Sequence, residues 1–490
     1  MLENYMEREL VRKIQLINTL WSQEEMTSIT LAVCLNVTST TIKSDVKAIN
    51  TYYCETNYPL IVSSGTGYSI LDKEKRNKRD FLKQIYNESL FVRACCFYLK
   101  SNFTDSETFA SLEFISSSKA YELRKNVISY INELDIQVTT DPLINNECRI
   151  RFLMVFFQMK VGIDFITINP FSKQKIYELF SHFEEKEKCV LSNYSKEYAS
   201  ILFQLNFDRR KKYPLVFNKF WVTILEQTDI YKRLREPIYK YLINELHVNI
   251  QQEEIFYFAL VLNIMNANYF DDIELLKSYQ SYGDLIKNSQ RLNYAHLKEL
   301  FEVEFQHDFT DDILFESMLI TFLRKCIFNL QSLIPEEHIE LGNTARIPSD
   351  LVVRVTKIFE VWNNENQLNL LFSADHIKYL ISKLYFLLQR KNRPRTIYLL
   401  TSFYTDYLLA KKVLTEEYGA LVTVKQYDPR KNPESYAADN IILYDTEYSF
   451  LSKISSQKLQ ITYILDLPEL QKIREFLFTY DLDGIEKNKD

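Results

Sequence analysis

The stretch Thr27-Ser-Ile-Thr-Leu-Ala-Val-Cys-Leu-Asn-Val-Thr-Ser-Thr-Thr-Ile-Lys-Ser-Asp-Val-Lys-Ala-Ile-Asn50 constrains the fold more than any other part of the chain. It reads as a short helix, a tight turn at Leu35-Asn36-Val37, and a second helix capped by Thr38, which is helix-turn-helix grammar. Ala32 is small where two helices must cross closely, and Asn36 tolerates the positive φ that such a turn demands. Leu31, Leu35, Val37, Ile42, Val46 and Ile49 supply a buried wedge. The outward positions Ser39, Thr40, Thr41, Lys43, Ser44 and Lys47 carry hydroxyls and amines suited to phosphates and base edges in a major groove. A helical pattern from Tyr5 to Trp21 precedes this segment, with Leu10, Ile14, Ile17 and Trp21 on one side. Ser22 and Glu25 have the spacing of a capping box for a helix beginning near Met26.

Two β-prone runs follow within Tyr58 to Leu71, joined around Gly65-Thr66-Gly67, and a hairpin in that place is a wing. Gly-Thr-Gly lacks the context and the lysine of a phosphate loop. A basic connector comes next, with Lys73, Lys75, Arg76, Lys78, Arg79 and Lys83 outnumbering Asp72, Glu74 and Asp80. The helix-turn-helix pattern then recurs in Asp105 to Val127. Ala110 takes the place of Ala32, and Ser116, Ser117, Ser118, Lys119, Tyr121, Arg124 and Lys125 populate the second helix. Ile136-Gln-Val and Leu143 to Arg149 are read as a second small hairpin.

From Gly162 to Arg390 the pattern is helical almost throughout. Ile255, Phe258, Ala259, Leu262 and Met265 form one apolar stripe, Phe315, Leu319, Phe322, Leu323 and Cys326 a second, and Ile377, Leu380, Ile381, Leu384 and Leu388 a third. The length suits two bundles divided near Leu276 to Asn288. After the basic linker Arg390 to Arg395 the pattern changes to strands at Thr396–Thr401, Leu421–Gln426, Asn440–Tyr444 and Gln460–Leu465. Helices at Asp406–Tyr418 and Pro468–Tyr480 alternate with them, predicting a small α/β domain with a mainly parallel sheet.

Composition supports a helical chain. Average usage would place roughly 34 glycines in a chain this long; there are 7 among 490 residues, with 33 Phe and 33 Tyr. Glycine-rich nucleotide-binding architecture is thereby disfavoured. The net charge of −6 requires any nucleic-acid contact to come from local basic surfaces. The seven cysteines, Cys34, Cys54, Cys95, Cys96, Cys148, Cys189 and Cys326, show no zinc spacing and are read as buried reduced thiols of a cytoplasmic protein. No export signal is visible, no metal or cofactor is expected, and the uncharged run Ile255–Phe270 is read as a buried helix, too short to span a membrane.

The order of these parts resembles the Mga/AtxA family of transcriptional regulators of Gram-positive bacteria. Val37-Thr-Ser-Thr-Thr-Ile, Ile115-Ser-Ser-Ser-Lys-Ala-Tyr, Pro142 to Leu153 and Thr396-Ile-Tyr-Leu-Leu-Thr-Ser-Phe carry the resemblance. It implies a mainly α, multidomain chain of five parts. These are winged helix-turn-helix units at 1–75 and 76–163, two helical bundles like the phosphotransferase-system regulation domain (PRD) at 164–280 and 281–392, and an α/β domain resembling phosphotransferase component IIB at 393–490. It further implies a non-enzymatic regulator, usually an activator and tied to virulence, with double-stranded promoter DNA as partner and a homodimer formed through the C-terminal half. Thr66 of the first wing joins the DNA-facing residues.

The family's regulatory idea is phosphorylation of PRD histidines through a phosphocarrier protein. Here Val261, Lys383 and Tyr385 stand where such histidines are expected, leaving His247, His296, His307 and His376 as off-pattern candidates. Component IIB places a phosphorylated cysteine after its first strand, whereas Thr401 to Leu409 contains none. A phosphate-relay enzyme and an RNA-binding antiterminator are the competing readings.

Overall fold

A computed structural model of the chain describes all residues except 1, 24, 53–58, 102–104, 137–146, 237–249, 266, 270–282, 311, 335–348, 391–394, 420–421, 429, 432–440, 447, 449–450, 452–453, 455, 462–464, 466–468 and 474–490. Two compact units are present, Met1–Ile381 and Ser382–Asp490. Among the described residues no helix is long and apolar enough to cross a membrane.

Helix α1 (Arg8–Ser22) buries Leu10, Ile14, Ile17 and Leu20. The expected capping box at Ser22 and Glu25 is not formed. Ser22 closes α1 by donating to the carbonyl of Thr19, and α2 (Ser28–Cys34) is capped by Thr27, whose hydroxyl accepts from the Thr30 amide. Glu25 is engaged by the hydroxyls of Ser64 and Thr66, and Met26 pairs with Tyr68, so both are held in the wing. Helix α3 (Ser39–Tyr52) and the antiparallel strands β1 (Ile61–Ser63) and β2 (Tyr68–Ile70) complete the first winged helix.

Helices α4 (Lys78–Glu88), α5 (Leu90–Ser101), α6 (Ser106–Leu112) and α7 (Ser117–Glu133) form the second helix-turn-helix unit. Residues 137–146 of the hairpin expected behind it lie outside the described residues. Its C-terminal part is helical, because Glu147 to Arg149 open α8 (Glu147–Val161). A helix brings Glu147 and Arg151, four residues apart, to 2.7 Å, whereas residues so spaced on a strand stand too far apart to pair.

The segment beyond α8 is helical as expected, with α9 (Pro170–Glu187), α10 (Asn193–Arg209), α11 (Lys219–Gln227), α12 (Asp229–Leu234) and α13 (Gln252–Ile264). After the helical residues 283–287 come α14 (Tyr294–Phe305), α15 (Ile313–Cys326), α16 (Ser349–Glu365) and α17 (Ala374–Arg390). One exception is a two-stranded antiparallel sheet of β3 (Cys189–Leu191) and β4 (Ala267–Tyr269). The run Ile255–Phe270 is therefore not one helix: α13 ends at Ile264, and Ala267-Asn-Tyr269 pairs with β3. Nor does α13 show a single apolar stripe. It is buried on nearly every face because α10, α11, α12 and α15 all pack against it, and Ile255 is only half-buried. The stripe of α15 is buried as read, and that of α17 is buried except for half-buried Leu388.

In the C-terminal unit, β5 (Arg395–Leu400), β6 (Val422–Gln426), β7 (Ile441–Tyr444) and β8 (Gln457–Gln460) form a wholly parallel sheet of order β6-β5-β7-β8. Helix α18 (Tyr404–Tyr418) links β5 to β6, and its Leu414 packs with Ile397, Leu399, Ile441 and Leu443. The last strand begins earlier than the apolar run Gln460–Leu465 suggests. Strand β8 is set by its ladder to β7 and by Lys458, which donates to the carbonyls of Leu451 and Ile454, so a polar segment serves at that edge. Residues 469–473 of the closing helix are helical; residues 474–480 lie outside the described residues.

Candidate nucleic-acid interface

The first winged helix is built around the turn at Asn36, which adopts φ 53° and lets the Val37 amide return to the Ala32 carbonyl at 2.9 Å. Thr38 caps α3, its hydroxyl accepting from the Thr41 amide. Leu31, Ala32, Ile42, Val46 and Ile49 are buried, whereas Leu35 and Val37 are half-buried. On the opposite face Thr40, Lys43, Ser44 and Lys47 are exposed, with Ser39 and Thr41 half-buried beside the cap. Helical spacing sets Thr40, Lys43, Ser44 and Lys47 in one outward row.

Two side chains absent from the sequence expectations hold this helix. Asp45 is buried and takes a two-pronged ion pair from Arg12 of α1, at 2.5 and 2.9 Å. Its position gives the signal, since it stands three residues after Ile42 and four before Ile49, on the buried face. Asn50 is the other: its amide donates to the Ile61 carbonyl at 2.7 Å and accepts from the Ile61 amide at 3.0 Å, fastening α3 to the wing.

The wing gains a third edge where Met26 and Tyr68 exchange backbone hydrogen bonds at 3.0 and 2.8 Å. A Cβ on Gly67 would lie 2.5 Å from the Met26 carbonyl oxygen, so this close approach requires glycine. Thr66 is exposed, but its hydroxyl donates to Glu25 at 2.8 Å. The Ser64 and Thr66 hydroxyls together hold the Glu25 carboxyl below its ordinary range. An acid thus occupies the Thr66 hydroxyl that the sequence assigns to DNA.

The second unit repeats the first at a fixed offset. Helices α2 and α6 are both 7 residues long, and Asp105 caps α6 as Thr27 caps α2. Ala110 and Ala32 are each 6% exposed. Phe114 adopts φ 54° in the place of Asn36, and the Ile115 amide returns to the Ala110 carbonyl at 3.0 Å. Ser116 caps α7 through the Lys119 amide. Ser117, Ser118, Lys119, Tyr121 and Lys125 are exposed, Arg124 is half-buried, and Lys119 pairs with Glu122 at 3.1 Å.

The N-terminal segment joins the two units. Glu7 accepts from the Ser89 hydroxyl at 2.6 Å and the Leu90 amide at 3.0 Å, capping α5, while Tyr5 stacks on Phe91 at 5.1 Å. Behind the second unit α8 carries a buried ionic network. Glu147 receives Arg151 at 2.7 Å and Arg209 of α10 at 2.8 and 2.9 Å, and Arg151 also donates to the Tyr213 carbonyl at 2.8 Å. Asn206 donates to Glu254 of α13 at 2.9 Å. This network links the helix behind the second unit to the helical bundle.

Of the histidine candidates, His296 lies 2.6 Å from Glu365, His307 packs on the Phe309 ring at 4.6 Å, and His376 is buried. His247 lies outside the described residues. Cys95, Cys96, Cys148, Cys189 and Cys326 are buried free thiols, while Cys34, expected to be buried, is exposed at the end of α2, beside exposed Val33 and off the face that buries Leu31 and Ala32. Cys54 lies outside the described residues. In the C-terminal unit the loop after β5 is closed by a carboxylate, with Asp445 accepting from the Ser402 amide at 2.5 Å and from the Thr446 hydroxyl at 3.1 Å. Burial raises the Asp445 carboxyl, yet the Ser402 and Thr446 donors outweigh it and hold the group below its ordinary range.

Residues 74–158 match the family model described as the Mga helix-turn-helix domain. They span α4 to α7 and most of α8, so the resemblance to Mga-type regulators holds on the second unit. No curated protein matches the chain. A Mga helix-turn-helix domain supports the reading of a DNA-binding transcriptional regulator.

Proposed function

We infer that this chain, which carries a Mga helix-turn-helix domain, is a cytoplasmic regulator that grips promoter DNA with both of its helix-turn-helix units and activates transcription. The observation that carries this reading is the repetition itself. Two turns with positive φ and two capped second helices recur at one offset, each second helix with a small hydroxyl and a lysine at matching outward positions, Thr40 and Lys47 in the first and Ser118 and Lys125 in the second. The N-terminal segment holds the two units together, which suits simultaneous engagement of one duplex. In this reading α9 to α17 form two PRD-like regulatory bundles, and the parallel-sheet unit is a IIB-like assembly module through which the protein dimerises.

His296, His307 and His376 remain candidates for phosphorylation by a phosphocarrier protein, which would add about −1.5 to −2 charge to a helical surface. A phosphate relay through the C-terminal unit is disfavoured by chemistry. Asp445 already occupies the amide of the loop after β5, where a phosphoryl group would need an open donor. An RNA-binding antiterminator is disfavoured by the paired helix-turn-helix units at the N-terminus.

Purified full-length protein should retard promoter-sized duplex DNA, with log K falling steeply and linearly against log salt. Equal retention of a structured RNA in competition, or no retention of duplex, would overturn the reading. Labelled phosphoenolpyruvate with the phosphotransferase proteins separates regulation from relay: label that stops on a histidine supports regulation, and label passed onward to a sugar supports relay.

A further inference from the structure

Phe114 makes the tight turn of the second unit in a conformation that a bulky residue enters only at a cost. Its φ is 54°, a region that Gly, Asn or Asp enters readily and a bulky side chain does not, and its ring is 96% exposed. The first unit shows the cheaper solution, with Asn36 at the matching position and φ 53°. Strain retained at an exposed aromatic ring marks a position where the ring serves something outside the chain.

Its neighbours share its character. Leu112, the last residue of α6, is 60% exposed, and Tyr121 is 65% exposed one turn into α7, where the first unit has Lys43. On α7 the residues Ser117, Tyr121 and Lys125 follow helical spacing along one face, and Phe114 lies just before its N-terminal end. In helix-turn-helix recognition the N-terminal residues of the second helix meet base edges. The apolar group that a major groove presents to such residues is the C5-methyl of thymine.

We propose that the second unit reads thymine methyl groups through Phe114 and Tyr121, whereas the first unit grips its DNA through Lys43 and Lys47. This rests on the reading of the protein as a double-stranded DNA binder. The aromatic pair is matched to DNA rather than to a protein surface by the unit that carries it: Tyr121 stands between exposed Ser117 and Lys125 on the second helix of a helix-turn-helix domain, and Phe114 lies in the turn that leads into that helix.

The test uses full-length protein and a duplex that the protein itself enriches from a random-sequence library, prepared once with thymine and once with uracil, which lacks only the methyl. Wild-type affinity should fall on uracil substitution by roughly fourfold for each methyl that is buried. Phe114→Asn should retain or gain thermal stability, bind the thymine duplex more weakly, and lose part of the thymine-to-uracil difference, and Phe114→Asn with Tyr121→Ala should lose most of it. Lys43→Ala should bind both duplexes more weakly and keep the wild-type ratio. Equal wild-type affinity for the two duplexes overturns the proposal while leaving the regulator reading intact. A Phe114→Asn protein that binds DNA as wild type but changes its oligomeric state also overturns it, assigning the ring to a protein contact. Failure to enrich any duplex removes the regulator reading and this proposal with it.

Discussion

The two helix-turn-helix units share a backbone and differ in what fills it. Both place a small alanine at the crossing, a positive-φ residue in the turn and a hydroxyl cap on the second helix. In the first unit the outward row is Thr40, Lys43, Ser44 and Lys47, and the second helix is held by the Arg12–Asp45 pair and the Asn50 clamp. In the second the matching row is Ser118, Tyr121, Glu122 and Lys125, and the second helix is held by Tyr98 of α5, whose hydroxyl donates to the Ala120 carbonyl at 3.2 Å, and by Arg149 of α8, which donates to the Leu134 carbonyl. One geometry thus carries a cationic face and a more apolar one. The fold sets where a side chain points, and the residue at that point sets what it can recognise.

The largest expected effect comes from cutting the ionic tie between α8, which follows the second unit, and α10 of the bundle, a tie of a kind not seen behind the first unit among the described residues. Arg151→Ala leaves Glu147 buried with one of its two cations gone, and a broken buried pair costs about 3–5 kcal/mol. The urea midpoint of the full-length protein should fall accordingly. A shift no larger than that of an exposed control such as Lys232→Ala would show that the network is not the anchor.

A smaller effect is expected at the first wing. Gly67→Ala places a methyl group 2.5 Å from the Met26 carbonyl oxygen, and overpacking of this kind costs roughly 1–3 kcal/mol. Hydrogen exchange at the Tyr68 amide, which donates to that carbonyl, should accelerate, while the amide of Ile115 in the second turn should keep its protection. Equal acceleration at both would mean that the two units open together.

The contrast in charge is sharpened by salt. Lys43→Ala with Lys47→Ala should reduce the slope of log K against log salt by roughly 2, about one for each phosphate that is no longer neutralised. Arg124→Ala with Lys125→Ala should weaken binding as well but reduce the slope by less, because Arg124 is half-buried. Unchanged binding in both double variants would sink the assignment of α3 and α7 to DNA.

Much of this is legible in the sequence, and the limits have physical causes. Turn chemistry is local, so Asn36, Thr38 and Ser116 announce both turns and caps, and short β-branched runs mark the strands β5, β6 and β7. The capping box at Ser22 fails because long-range bonds from the wing take Glu25 and Met26. The second hairpin fails at Glu147, where apolar content alone does not distinguish a strand from a helix buried on all sides. The Arg12–Asp45 pair spans two helices, and no local pattern names an acid's distant partner. Phe114 escapes notice because an aromatic residue in a turn reads as core until its exposure is seen.

The smallest expected effect lies where the two units are tied together. Glu3 accepts from Tyr86 of α4 at 2.7 Å and from Lys160 of α8 at 2.9 Å, joining the N-terminus to the second unit. Burial works to raise the Glu3 carboxyl, but Lys160 and Tyr86 outweigh it and hold the group well below its ordinary value of about 4.3. A carboxyl depressed on folding contributes stability that is fully present above its unfolded value and is lost as pH falls toward the folded one. Glu3→Gln should therefore lower the urea midpoint slightly at pH 7, by the same amount at pH 5.5, and by progressively less below about pH 4.3, where the unfolded wild-type chain takes up a proton that the folded carboxylate still refuses. A difference between the two proteins that stays constant down to pH 3 would show that the carboxylate does not carry this tie, leaving Glu7 and Tyr5 to hold the units in register.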